Sequence, residues 1–288
     1  MPSQSIQWFP GHMAKTRRMI TDNLKNVDAI IELLDARIPL SSRNPEITKL
    51  TANKPRIILL NKASLADPAA TAKWVAELSN DNTVCIETDC ITGAGLNKIA
   101  PAIKKLCQQK LERYEEKGMS GRMLKAMVLG IPNVGKSSLI NKICGNKKAK
   151  VENRPGVTVD KQWVATNIGI LLLDMPGILW PKFEDQIIGE NLAITGAIKD
   201  DILDIEAIAC ALCARMRTLY PELLSARYKL GDMSEYSELS DYDLLCLIGR
   251  KRGFLAARGQ INTERTAITL LEEFRNGKIG RISLEFPQ

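Results

Sequence analysis

The eight residues Gly130-Ile-Pro-Asn-Val-Gly135-Lys136-Ser137 have the types and spacing of a phosphate-binding loop. Glycines allow the backbone to wrap a phosphate closely with its N–H groups pointing inward. A helix beginning near Lys136 would add the positive end of its dipole. Lys136 is suited to neutralise β and γ phosphates, and the Ser137 hydroxyl to ligate Mg²⁺. Asn133, Val134, Gly135 and Ser138 complete the nucleotide-facing stretch. The loop follows an apolar run, Leu124 to Leu129, and precedes a helical one, Ser137 to Cys144. That strand-loop-helix context is what the mechanism requires.

Two further segments fit the same chemistry. Asp174 ends an apolar run, where a second Mg²⁺-directed carboxylate belongs, and Gly177 would bring its N–H to the γ-phosphate. Between the phosphate loop and Asp174, Arg154-Pro-Gly-Val-Thr158 offers a hydroxyl for Mg²⁺. The triplet points to a GTPase-type switch. In Ras-like GTPases a glutamine after that glycine orients the attacking water; here Ile178 and Leu179 follow, and neither can hydrogen-bond water. Hydrolysis must be slow, or its catalytic group must come from elsewhere. His12, the single histidine, sits in the rigid segment Trp8-Phe-Pro-Gly-His12-Met13. Neutral imidazole could position water near physiological pH; a histidine simply hydrogen-bonded at a helix start is the other reading.

The order of the parts is unusual. In an ordinary P-loop GTPase the phosphate loop comes early and an Asn-Lys-x-Asp base reader follows. Here the phosphate loop lies mid-chain, and the nearest base reader, Asn61-Lys62-Ala63-Ser64, precedes it.

These motifs need a parallel sheet to position them. Val27 to Leu34, Arg56 to Leu60, Val84 to Thr88 and Leu124 to Leu129 read as short buried strands. Trp163 to Thr166 and Ile168 to Leu173 read as a strand pair. A basic amphipathic helix is predicted over Met13 to Asn26 and a long helix over Leu96 to Glu116. Strands alternating with helices imply an α/β fold with helices on both sheet faces. Beyond Gly196 the pattern turns helical, over Ile202 to Leu219, Tyr220 to Tyr228, Asp241 to Arg250 and Thr263 to Arg275. The expected division is 1–196 for the nucleotide domain and 197–288 for a small helical domain. Gly249-Arg-Lys-Arg-Gly253 with Arg258 forms the latter's densest basic patch.

The chain has 288 residues and a net charge of +7, which favours polyanionic partners. No apolar run is long enough for a membrane span, and the start does not have the pattern of a signal peptide. The 7 scattered cysteines do not suggest a disulfide framework, so a cytoplasmic protein is expected. Cys210 and Cys213 read as thiols on a helix face rather than zinc ligands.

The ordered set Trp8 to Met13, Asp35-Ala-Arg-Ile-Pro39, Arg43-Asn-Pro45, Asn61-Lys62, Gly130 to Ser137, Pro155-Gly-Val-Thr158 and Asp174-Met-Pro-Gly177 resembles the circularly permuted GTPases. Within them, Gly177-Ile-Leu-Trp-Pro-Lys182 and the helical C-terminal stretch are similar to ribosome biogenesis GTPase A, the YlqF type. The resemblance implies a P-loop GTPase sheet in permuted order, a helical domain that contacts rRNA, and a role late in assembly of the large (50S) ribosomal subunit. It implies that GTP is the substrate, that Ser137, Thr158 and Asp174 serve Mg²⁺, and that no oligomer is required. It implies that His12 matches the histidine proposed as catalytic there, and that Asn133 matches an asparagine associated with K⁺ activation.

One position departs from the pattern. The base reader of that family ends in aspartate, whose carboxylate accepts two hydrogen bonds from guanine; here Ser64 stands in its place. Losing a charged hydrogen-bonding partner would weaken guanine binding roughly tenfold to a hundredfold. In the loop that follows, Asp89-Cys90 stands where a small polar pair is usual, and Asp89 could supply the missing carboxylate. Two other functions remain open: a nucleotide-dependent RNA-binding scaffold with incidental hydrolysis, and a P-loop enzyme of small-molecule metabolism.

Overall fold

The computed structural model describes residues 10–119, 121–145, 163–177, 179–180, 183 and 185–287. Six strands form one sheet: β1 (Ala29–Asp35), β2 (Arg56–Asn61), β3 (Thr83–Glu87), β4 (Leu124–Gly130), β5 (Trp163–Ala165) and β6 (Ile170–Asp174). Their order is β3-β2-β1-β4-β6-β5, parallel throughout except for the antiparallel edge strand β5. Strand β1 is buried at every position, as a central parallel strand covered on both faces must be.

The helices are α1 (Pro10–Leu24), α2 (Pro45–Leu50), α3 (Pro68–Glu77), α4 (Ile99–Leu106), α5 (Gln108–Glu116), α6 (Lys136–Cys144), α7 (Gln186–Ile194), α8 (Ile205–Leu219), α9 (Pro221–Tyr228), α10 (Asp241–Lys251) and α11 (Thr263–Arg275). The amphipathic character of α1 is plain: Thr16, Ile20 and Asn23 are buried at helical spacing, while Lys15, Arg17 and Arg18 are exposed. Helices α2 and α3 begin alike. Asn44 and Asp67 accept hydrogen bonds from first-turn N–H groups, and a proline occupies the next position.

The long helix expected over Leu96 to Glu116 is not continuous. A 3₁₀ turn (Leu96–Lys98) leads into α4, and Cys107 breaks the path before α5 with φ −103° and ψ 16°. Cys107 is buried against the Asp28 carbonyl. Beyond it, Lys110 pairs with the Asp28 carboxylate and Tyr114 reaches the same carboxylate at 3.4 Å. Contacts to one buried acid thus set the direction of α5. Strand β6 starts two residues later than expected, because Thr166 and Gly169 turn the chain before Ile170.

The chain divides into two compact units. One runs Phe183–Leu284; the other takes the described residues before it together with the tail from Glu285. Helix α7 precedes the expected division at residue 196 and packs with α8 in the helical unit. There α8 is central, burying Ile208, Ala209, Leu212, Cys213 and Met216, and α7, α9, α10 and α11 pack around it. Buried Glu273 joins Arg227, Arg252 and the Tyr228 hydroxyl.

In the sheet unit a cluster of Leu34, Ala36, Ile58, Leu60, Ala63, Ala66, Cys85 and Trp74 lies under the turn that follows β2. Trp74 is 1% exposed, and its indole N–H donates to the Glu285 carbonyl at 3.1 Å. The Glu285 carboxylate in turn accepts from the Leu40 and Ser41 N–H groups. Truncation of Trp74 to alanine is expected to destabilise the sheet unit by about 3–5 kcal/mol, as large buried aromatics do. Denaturant unfolding followed by circular dichroism would measure it.

Candidate functional site

The carboxyl ends of β1, β2, β3, β4 and β6 lie along one edge of the sheet, at Asp35, Asn61, Glu87, Gly130 and Asp174. Successive strands run outward from β1 in one direction, and β4 and β6 run in the other. Ligands of open α/β sheets bind where the order reverses in this way, outside the strand ends.

The phosphate-loop segment leaves β4 there. Asn133 takes a left-handed conformation (φ +57°), which asparagine tolerates, and Gly135 follows at φ +108°. A side chain on Gly135 would stand 2.2 Å from the Asn61 amide nitrogen. Helix α6 begins at Lys136 with Gly135 as its cap, so no cap side chain occupies its first-turn N–H groups. Ser137 is exposed and Ser138 half-buried at this start. The Lys136 ammonium donates to the Gly130 and Ile131 carbonyls at 3.0 and 2.8 Å. Burial pushes its pKa down to about 8, with the Asp174 carboxylate pulling the other way.

Gly177 belongs to the same cluster. A side chain there would stand 2.6 Å from the Lys136 nitrogen and 2.9 Å from the Pro132 backbone nitrogen. The Asp174 side chain reaches the surface, yet the groups packed around its carboxylate push its pKa up, and the Lys136 charge offsets this only in part. Among the described residues no three His, Cys, Asp or Glu side chains converge. Ser137 and Asp174 offer hydroxyl and carboxylate oxygens, hard donors of the kind that suit Mg²⁺.

Asn61 joins the phosphate-loop segment to the rest of the site. It is buried, its amide nitrogen donates to the Val134 carbonyl at 2.7 Å, and its amide oxygen accepts from the Cys90 N–H at 2.9 Å. Lys62 follows in the left-handed region (φ +61°), and its ammonium lies 3.0 Å from the Asp35 carboxylate. Buried Asp35 also takes both Nε and Nη2 of Arg37. Burial opposes its charge, but Arg37 and Lys62 together hold its carboxyl well below the usual range. Ala63 and exposed Ser64 form a 3₁₀ turn, and the Ser64 hydroxyl donates to Asp89. Asp67, the other nearby acid, caps α3. The buried Cys90 thiol is raised to about 12 by its surroundings and the adjacent Asp89 charge.

The structure thus brings together Asn61, Lys62, Ala63, Ser64, Asp89 and Cys90 on one side, and Asn133, Val134, Gly135, Lys136, Ser137, Ser138, Asp174 and Gly177 on the other. Thr158 and Ile178 lie outside the described residues. His12 falls within α1, but its side chain is not among those described. Sequence reasoning missed Asp35 and Arg37 as supports of Lys62; the buried acidic end of an apolar strand was their signal.

Fold and site define a P-loop GTPase. The profile of a family described as "50S ribosome-binding GTPase" matches residues 125–217. A ribosome biogenesis GTPase A of Bacillus licheniformis is 46% identical over 98% of this chain and 99% of its own. That of Bacillus cereus is 45% identical over 98% of this chain and 94% of its own. The crystal structure of GNP-bound YlqF from T. maritima is similar with a TM-score of 0.62 at 25% identity, covering 95% of this chain and 99% of that one. The chain belongs to the ribosome biogenesis GTPase A family.

Lys136 provides a test. Its pKa of about 8 in the free protein should return towards the ordinary value of 10.5 beside phosphate. Above pH about 8, GDP binding should therefore take up a proton and weaken as pH rises, by up to roughly tenfold per unit. Below that pH this slope should vanish. Calorimetry in buffers of different ionisation enthalpy would count the proton, and Lys136→Arg, charged throughout, should not take it up.

Proposed function

We propose that this protein is a cytoplasmic GTPase that acts in assembly of the large ribosomal subunit, slow alone and activated on its ribosomal partner. The observation that carries the reading is the Asn61 bridge, which ties a complete phosphate loop to a base-side turn in a chain of this family. The base-side motif precedes the phosphate loop in sequence, which supports a circularly permuted order.

In this reading the N–H groups of the phosphate loop and of α6 cradle the phosphates, and Lys136 exchanges its carbonyl partners for them. Ser137, Asp174 and Thr158 would hold Mg²⁺, which neutralises charge developing on the phosphates. Asn133 would serve a K⁺ ion beside them. Gly177, against Lys136 and Pro132, would sense the γ-phosphate. His12 serves the attacking water on the ribosome, because aliphatic Ile178 cannot.

The helical unit, residues 183–284 by structure and 197–288 by sequence pattern, supplies the rRNA contact. Arg250 and Lys251 are exposed at the end of α10. Nearby, Arg252 and Arg265 flank the Phe254 ring at 5.8 and 4.6 Å. Cations around an aromatic face suit phosphate and base together. Ser64 favours one alternative, an RNA-binding scaffold with altered guanine specificity and incidental hydrolysis.

Turnover of GTP should be slow for the protein alone and should rise at least about tenfold with large subunits in K⁺ buffer, the scale of activation by added catalytic groups being larger still. A rate indifferent to subunits overturns the reading in favour of the scaffold. His12→Ala should lose most of the stimulated single-turnover rate, roughly a hundredfold for a general base, with GTP affinity kept. Unchanged stimulated turnover returns His12 to a structural role.

A further inference from the structure

The base reader ends in a residue that, taken alone, reads a purine poorly. A serine hydroxyl can donate or accept. It could face the donors at N1 and N2 of guanine or the acceptor at N1 of adenine. In this structure that freedom is removed from below. Ser64 is exposed in the turn after β2, and its hydroxyl donates to Asp89 Oδ2. Asp89 is itself buried, and its other oxygen accepts from the Ile91 and Thr92 N–H groups at 2.9 and 3.0 Å.

Building on the GTPase reading above, we propose that Ser64 and Asp89 act as one base-reading pair: the Asp89 carboxylate accepts the hydrogen bond of the Ser64 hydroxyl, so Ser64 presents only lone pairs to the N1–H and N2–H edge of guanine. The specificity carboxylate has moved from the turn itself to the neighbouring loop, with a hydroxyl between it and the base.

Three observations support this. The two segments are fixed to each other by backbone hydrogen bonds, Thr88 N–H to Leu60 at 2.9 Å and Ala63 N–H to Thr88 at 3.1 Å. The Asp89 loop is closed by Asp89 N–H to Ala94 at 3.0 Å and Gly93 N–H to Asp89 at 2.7 Å. The pair therefore does not depend on a mobile side chain finding its partner. Asp89 also stays charged: burial opposes ionisation, but the hydrogen bonds from Ser64, Thr92 and Ile91 outweigh it and hold the carboxyl below its ordinary value. The ligand class follows from the chemistry. A purine with donors at both positions, guanine, fits. Hypoxanthine lacks the 2-amino donor, and xanthine places a carbonyl, and at neutral pH a negative charge, against lone pairs and a carboxylate.

Competition against fluorescent GDP, using GDP and the diphosphates of inosine, xanthosine and adenosine, tests the pair. The wild-type protein should prefer GDP to all three others. In Asp89→Asn the amide oxygen can still accept from Ile91 and Thr92, so the loop stays closed, while its NH₂ donates to Ser64 and turns the hydroxyl proton outward. GDP should weaken roughly tenfold or more, and xanthosine diphosphate should gain. In Ser64→Ala, GDP should weaken by a similar factor with no gain for xanthosine diphosphate. A GDP-to-xanthosine-diphosphate ratio unchanged in Asp89→Asn would assign Asp89 to loop support alone and overturn the pair. Equal wild-type binding of all four diphosphates would overturn it too, while leaving the phosphate-site reading standing. Failure to bind any of them would overturn that reading and the pair with it.

Discussion

The site depends on one buried side-chain amide. Strands β2 and β4 lead into the Ala63–Leu65 turn and the Gly130–Ser137 loop, but they are not neighbours; β1 lies between them. Backbone pairing cannot link their ends, so a side chain has to span the gap. Asn61 does so with both ends of its amide, one to the loop after β4 and one to the loop after β3. An aspartate would turn an oxygen towards the Val134 carbonyl and leave a buried repulsion. The same contact dictates its neighbour: Gly135 has no room for a side chain because the Asn61 amide fills that space. Two motif residues far apart in sequence are thus one packing decision.

Charge is buried close to this amide, and it is paired. Asp35 at the end of β1 meets Arg37 and Lys62, and Glu32 within β1 meets Arg56 and Arg43. Such pairs add little net stability over apolar residues, but removing one partner leaves an expensive orphan. Their effect here is geometric. Asp35 holds Lys62 in a left-handed turn that a lysine would otherwise seldom adopt, and so sets the direction in which Ser64 leaves the sheet.

Much of this was legible in the residues. The phosphate loop, the buried strands and the helical C-terminal stretch follow from glycine spacing and apolar periodicity, which are local signals. The break at Cys107 was not, because it answers to Asp28, a partner 79 positions away. Helices α2 and α3 were not read from the sequence, although Asn44-Pro45 and Asp67-Pro68 are the capping pairs that start them. Ser64 and Asp89 were each visible as departures from a motif. That one accepts the other's hydrogen bond depends on two loops meeting in space, and sequence carries no such distance.

The Glu285 contact has a consequence for the order of synthesis. Trp74 and Glu285 are 211 positions apart, yet the indole N–H of one is satisfied by the carbonyl of the other. The same residue closes the Leu40–Ser41 loop across 244 positions and more. All six strands thus precede Glu285 in the chain, while these contacts need it. Closure waits until the whole helical unit has been translated. Non-local contacts of this kind form late in folding, so the Trp74 indole and the Leu40–Ser41 loop gain these partners only after synthesis has passed residue 285.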